Sequence, residues 1–223
     1  VFAGSGNEGL GGNAYWVDVF IHEPAYLAGI VAGMMTESNI IGAVASFPFP
    51  NINGPLNAYI DGARSVNPDV DIKVTYIESW FDPPKAKESA LAQIAAGADV
   101  IYAERFGPFE ACKEQDALCI GHFVDQYSLA PEVVVTSPIA VWDPSIKHII
   151  DAWWNHTTQD TPYDAPMERI VYLMDGGGAD LAPFYDFEDK LPQEVLDAVA
   201  EAKAAIQSGE LVIEFSDAPI ESD

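Results

Sequence analysis

The sequence predicts an α/β fold on a doubly wound parallel sheet, and three observations carry that reading. Short apolar runs rich in Val, Ile and Ala alternate with longer segments of helical spacing through most of the chain. Several of those runs, Ile40–Ser46 (IIGAVAS) above all, are apolar without alternation, as strands covered on both faces must be. The repeated strand–helix spacing then makes crossovers that cover both faces of one sheet.

The elements follow in order. Val1 opens a short apolar strand that ends in the glycine-rich turn GSGNEGLGG. Tyr15–Ile21 (YWVDVFI) is β-rich and reads as a strand or crossing segment. Pro24 suits a first helical turn, and Ala25–Met35 supplies that helix's interior, with Gly29 and Gly33 on one face for close packing. Ile40–Ser46 is a strand, and Phe47-Pro48-Phe49-Pro50 breaks it before a helix over Asn53–Val66. Ile72–Ile77 and Val100–Ala103 are strands around a helix from Pro84 to Ala96; Phe109–Gln115 is a short helix and Cys119–Val124 a strand. Val133–Thr136 is a further strand, followed by a helix from Pro144 to about Trp154 and a polar, Pro-bearing linker over Thr157–Pro166. Ile170–Met174 is the last strand, Pro192–Ser208 the last helix, closed by Gly209, and the stretch from Phe215 to Asp223 reads as a frayed tail.

Charge narrows the function. Asp and Glu number 35 against 10 Lys and Arg, a net −25, so the surface repels nucleic acid and anionic lipid, and no basic stripe offsets it. The acids are spread along the whole chain, which suits solubility or a saline setting better than a face for a cationic ligand. No apolar run reaches the roughly 18–20 residues of a membrane span. The chain starts at Val1, without initiator Met or signal peptide, and opens on VFAG as though joined in the middle of a larger fold. Cys112 and Cys119 are the only cysteines; a disulfide and two buried thiols are equally open.

Catalytic and cofactor motifs are missing their context. Gly4-Ser5-Gly6-Asn7-Glu8-Gly9 has the G-x-G-x-x-G spacing, but no helix follows it, and Asp175-Gly176-Gly177-Gly178 lacks a phosphate-loop lysine. There is no G-x-S-x-G, the four histidines are scattered, and Cys112, Cys119, His122 and Asp125 match no standard zinc spacing. The sequence thus predicts no catalytic residues, metal or cofactor. It does predict a ring of residues following apolar strands, at the ends where open sheets bind ligands: Asn7, Phe49, Trp80, Phe81, Arg105, Phe106, Asp125, Trp142 and Asp175. Aromatics there stack on a planar ligand, and Asp125 can accept two hydrogen bonds from vicinal hydroxyls or ring N–H groups.

The segments AYLAGIVAGMMTESNIIGAVASFPFP, GARSVNPDVDIKVTYIESWFDPPKAKESALAQIAAGADVIYA, IGHFVDQYSLAP, VVVTSP and DLAPF together resemble the basic membrane protein family, the PnrA-like substrate-binding proteins of ABC importers. The resemblance implies a type I periplasmic-binding-protein fold, two Rossmann-like lobes joined by three crossings around a ligand cleft. It implies capture of a purine nucleoside or related base and delivery to a permease with its ATPase, with no catalysis. By position, Phe81 would stack on the base, Gly107 would form backbone wall, Asp125 would grip the ribose or a polar ring edge, and Gly6 and Asn7 would line the first-lobe side. Ala140 falls where nucleoside-binding relatives carry a lysine, with Trp142 nearby, which favours a flat base or other small ring.

Family members begin with roughly a hundred further residues, so the resemblance implies a first lobe that is incomplete here. The expected division is 1–21 as first-lobe remnant and crossing, 22–142 as the second α/β lobe, 143–168 as helix and crossing linker, 169–214 as the return to the first lobe, and 215–223 as tail. Such a remnant would expose apolar surface and fold poorly alone. The whole protein is expected to be extracytoplasmic, lipid-anchored through its amino end and monomeric. A ligand-sensing receptor domain of the same fold and a nucleoside-processing α/β enzyme are the alternatives.

Overall fold

The computed structural model describes residues 2–3 and 8–222. Its centre is a five-stranded, wholly parallel sheet of β3 (Ile40–Ala45), β4 (Asp71–Tyr76), β5 (Val100–Ala103), β6 (Leu118–Ile120) and β7 (Val134–Thr136), in the order β4-β3-β5-β6-β7. The strand order reverses direction between β3 and β5, which opens a crevice at their carboxyl ends.

Both faces are covered, and the alternation of side chains shows how. Ile41, Ala43 and Ala45 of β3, with Val100 and Tyr102 of β5, enter one core beneath α1 (His22–Met35) and α2 (Pro50–Val66). Val44 of β3, with Ile101 and Ala103 of β5, enters a second core beneath α3 (Pro83–Ala95) and α4 (Pro108–Gln115). A strand buried on both sides needs apolar residues at every position, which is what IIGAVA and VIYA supply.

Backbones approach closely where α1 crosses α2. A Cβ built on Gly29 would lie 2.1 Å from the Tyr59 carbonyl oxygen, and one on Gly62 would lie 2.0 Å from that of Tyr26. Gly33 sits on the same face as Gly29, where the sequence placed it for this purpose. Helix starts are marked by proline and a capping acid: Asp82 accepts from the Lys85 amide (3.1 Å) ahead of Pro83 and Pro84. Pro55 interrupts α2 one turn inside its start.

A small parallel sheet, β1 (Phe2–Ala3), β2 (Trp16–Asp18) and β9 (Ile170–Val171), stands beside the large one in the order β1-β2-β9. From β9 the chain goes back to the larger lobe. β10 (Ala179–Leu181) pairs antiparallel with β8 (Pro138–Ala140), and the Thr136 hydroxyl donates to the Ala182 carbonyl (2.7 Å). Helix α6 (Gln193–Ser208) packs Val195, Val199 and Ile206 into the core shared with α1, and ends at Gly209 in the left-handed region (φ 76°). The stretch expected from sequence to return to the first lobe, 169–214, thus contains β9, β10 and α6. Within it β9 joins the small sheet, while the apolar face of α6 packs in the core shared with α1.

Other differences are local. The strand expected to reach Val124 stops at Ile120, since Phe123 takes a left-handed turn (φ 68°). Helix α5 (Asp143–Gln159) runs past Trp154, because Thr157 and Thr158 turn their hydroxyls back onto the carbonyls of Trp153 (2.9 Å) and Trp154 (2.7 Å) instead of breaking the helix. The tail beyond α6 is irregular yet docked. Phe215 packs on Phe20 with ring centroids 4.7 Å apart, and Asn57 Nδ2 donates to the carbonyls of Ser216 (2.8 Å) and Ala218 (3.0 Å).

Candidate functional site

The crevice between β3 and β5 opens into a cavity of about 540 Å³. Its floor is made where the two strands end. Glu104 follows β5 directly, continues the ladder through its amide to Val44 (3.0 Å), and has a side chain fully removed from solvent. Its carboxylate accepts from the Ser46 amide (2.8 Å) across the switch point and from Arg105 Nε (2.7 Å) and Nη2. An acid at this point holds β3 and β5 together and neutralises the arginine beside it.

Arg105 carries that pairing to the aromatic wall. Its Nη1 donates to the Trp80 carbonyl (3.0 Å), and its guanidinium carbon lies 5.7 Å from the Trp80 ring centroid. Trp80 stacks on Phe49 (5.7 Å, 26° between planes), and Phe49 stacks on Phe47 (5.4 Å). Three strand-end aromatics therefore form one layered shelf, with Pro48 and Pro50 limiting the backbone between them.

His122 completes the floor from the end of β6. Its Nδ1 pairs with the Tyr102 hydroxyl at 2.8 Å, and its Nε2 stands 3.8 Å from Glu104. Burial pushes its pKa down to about 4; Glu104 pulls it upward and Arg105 pushes it further down. The ring is therefore neutral at neutral pH. Gln126 fixes the loop by accepting from the His122 amide (2.8 Å).

The opposing walls come from other parts of the chain. The crossing out of β2 contributes Asp18, which is paired with Arg169 (3.1 Å), and Phe20. The start of α2 contributes Asn51, Ile52 and Pro55, and the loop after β6 contributes Phe123 and Val124. Trp142, ahead of α5, and Phe215, from the docked tail, close the sides.

The structure brings Trp80, Arg105, Phe106 and Trp142 of the predicted ring together around this cavity. It places the others differently. Phe49 stacks on Trp80 without lining the cavity, and Phe81 is 74% exposed and also outside the lining. Gly107 (φ 127°) caps α4 where an added Cβ would lie 2.3 Å from the Pro83 carbonyl oxygen, a backbone role that only glycine fills. Asp175 accepts from the Gly176 amide (2.7 Å) in an exposed turn. Asp125 lies outside the cavity lining: one carboxylate oxygen accepts from the Tyr185 hydroxyl (2.6 Å) and the other from the Tyr127 amide (3.1 Å), beneath a stack of those two tyrosines (4.3 Å). Gly6 and Asn7 lie outside the described residues.

Sequence reasoning passed over Glu104, Phe123, Phe20 and Phe215 and weighed His122 only as a zinc ligand. The rule that selected Arg105, a polar residue just after an apolar strand, applies one position earlier to Glu104, and there the signal was available. Phe215 had none, since nothing in a polar tail announces where it docks. Among the described residues no cluster of three or more His, Cys, Asp or Glu side chains could hold a metal ion, and no helix is long and apolar enough to cross a membrane.

Comparison with known proteins adds to this geometry. Residues 19–161 match the family model described as ABC transporter substrate-binding protein PnrA-like. The chain is 35% identical over 197 residues to TsgA13 of Haloferax volcanii, named for glucose binding in an ABC transporter, covering 86% of this chain and 47% of that protein. It is 29% identical over 196 residues to a purine-binding protein of Brucella abortus, covering 85% of this chain and 52% of the relative. The chain thus spans about half the length of these curated relatives. Among solved structures, an ABC transporter solute-binding protein of Aeropyrum pernix superposes with a TM-score of 0.74 at 20% identity, over 90% of this chain and 66% of that one, which shows the two-lobed type I periplasmic-binding-protein fold.

Proposed function

This chain belongs to the PnrA-like family of ABC transporter substrate-binding proteins, and from that premise we propose that it captures a purine base or purine nucleoside for an ABC importer. The family is one of solute-binding proteins rather than enzymes. In this reading the whole protein works outside the cytoplasm, anchored to the membrane by a lipid at its amino end. As a monomer it hands the ligand to a permease driven by its ATPase.

One observation carries the ligand class: the cavity at the switch point is walled by the rings of Phe20, Trp80, Phe106, Phe123, Trp142 and Phe215. Flat faces on several sides suit a flat ligand, which gains from stacking and from leaving water. Polar atoms are few and occupied with one another. Glu104 is matched by Arg105 and Asp18 by Arg169, so the hydrogen bonds available to a ligand come mainly from Arg105, His122, Gln126 and Asn51. That supply suits the edge of a heterocycle. A free base is favoured over a nucleoside, since Asp125 is engaged elsewhere and Ala140 offers no charge to a ribose.

A hexose is the second reading, favoured by the name of the Haloferax relative. Sugars in such clefts also stack on aromatics, but they ask for an acceptor or donor at every hydroxyl. Calorimetric titration with adenine, guanine, adenosine, inosine and glucose separates the readings. Saturable heat with adenine or guanine is the expected result. Saturation by glucose alone would replace the purine assignment, and silence across the panel would remove both.

A further inference from the structure

Neither cysteine lines the cleft, yet the two face one another. Cys112 is in the second half of α4 and Cys119 is central in β6; both are wholly buried, and their sulfurs stand 2.9 Å apart. A disulfide closes at about 2.05 Å, so joining them needs a movement of roughly 0.9 Å, within the freedom of two side chains. The fold sets this approach. Asp116 takes a left-handed conformation (φ 55°) at the end of α4, and the Ala117 amide returns to the Cys112 carbonyl (3.0 Å), which folds β6 back beneath the helix. The pair sits in an apolar core with Phe109, Ala117, Val133 and Val134, and with no metal-binding cluster among the described residues.

We propose that Cys112 and Cys119 are a disulfide-forming pair, closed by exchange with a disulfide-bearing oxidant while the chain folds. One cysteine thiolate attacks the oxidant's S–S bond, which breaks and releases one thiol, leaving a mixed disulfide. The second cysteine thiolate attacks the protein sulfur of that bond and releases the other half of the oxidant as a thiol. Two electrons pass from the cysteines to the oxidant, whose two sulfurs take up the two protons the cysteines lose. Timing follows from burial. In the folded chain burial raises the Cys119 pKa well above its usual value, which suppresses the attacking thiolate. Closure therefore precedes the packing of α4 on β6, and the finished bond is shielded by the same core. The pair's geometry stands whichever ligand the cleft takes.

The test is to refold the full chain from guanidinium in buffer containing oxidised and reduced glutathione, quench with acid, and count free thiols under denaturing conditions with intact mass. The expected product has no free thiol, a mass lower by two hydrogens, and two thiols after reduction. Reduction should lower its thermal midpoint by about 5 °C or more, and the midpoint of a Cys112→Ala/Cys119→Ala variant should ignore reductant. Two free thiols after refolding, or glutathione carried separately on each cysteine, would overturn the proposal. The thiol count decides by itself if the double variant fails to fold.

Discussion

Replacing Glu104 by glutamine strikes the cleft at its floor while keeping side-chain shape. The wild-type carboxylate accepts from the Ser46 amide and from two nitrogens of Arg105, with no exposure of its own, while Arg105 keeps 24% of its side chain in solvent. Glutamine retains one acceptor and turns an amide group toward the guanidinium, so donor meets donor. Breaking one side of a buried pair costs about 3–5 kcal/mol. Water reaching Arg105 offsets part of that, which leaves about 2–3 kcal/mol. For a chain of this size the loss is a fall in thermal midpoint of roughly 5–10 °C. Arg105 also loses the anchor that holds it against Trp80, so affinity for adenine should weaken at least about tenfold, or 1.4 kcal/mol. Scanning calorimetry reads the first effect and isothermal titration the second. Glu132→Gln, at an exposed acid paired with Lys113 (2.9 Å), is the control and should change neither. A Glu104→Gln protein that melts within about 1 °C of wild type and binds adenine equally well would refute the assignment of the floor.

Further outcomes are expected. Trp80→Ala should weaken adenine binding by about tenfold to a hundredfold through lost stacking, read by the same titration, whereas Asp125→Ala should leave adenine affinity unchanged because Asp125 serves Tyr185 and Tyr127. Gly29→Ala should destabilise the fold by about 2 kcal/mol, because the added methyl meets the Tyr59 carbonyl at 2.1 Å and the gain in helix propensity is smaller than the forced separation of α1 and α2; urea denaturation measures it. His122, with its pKa depressed from 6.5 to about 4, binds its proton less readily in the folded than in the unfolded chain. Its neutral form therefore contributes stability present above about pH 6.5 and lost progressively toward pH 4, up to about 3 kcal/mol, and His122→Phe should flatten that part of the stability–pH curve relative to wild type. Finally, raising salt from about 0.1 M to about 1 M shortens the screening length from about 10 Å to 3 Å, so the thermal midpoint of a chain with net charge −25 should rise; an unchanged midpoint would count against self-repulsion as a cost to this fold.

Much of this architecture was legible because parallel strands buried on both faces leave little room for anything but apolar residues. IIGAVA and VIYA therefore announced themselves, and Asp82 with its prolines marked the start of α3 within a residue, whereas α2 begins at Pro50, three residues ahead of the expected Asn53. Lateral order was not legible. Nothing in one strand's composition says which neighbour it takes, so the reversal between β3 and β5 could not be placed from periodicity. Helix α6 illustrates the same difficulty: its amphipathic pattern was clear, but two lobes could have received its apolar face. Of the residues expected at the site, Trp80, Arg105, Phe106 and Trp142 line the cavity, each just beyond a strand. Phe20 and Phe215 meet there across most of the chain's length, a contact that no local pattern encodes. Asp125 follows an apolar run as a ligand group would, while its hydrogen bonds go to neighbouring tyrosines, which no local pattern announces.

Pro55 gives one wall of the cleft a property that side-chain substitution does not reach. As an imino acid it has no N–H to return to the Asn51 carbonyl, its partner four residues back in α2, and both residues line the cavity. The released oxygen belongs to the main chain, so alanine scanning along α2 would leave it in place. Pro55→Ala restores the missing N–H and removes a residue that helices tolerate poorly, by as much as about 3 kcal/mol. If the oxygen receives a ligand N–H, thermal stability and affinity would move in opposite directions at this single position, and a screen for robust variants would select against binding.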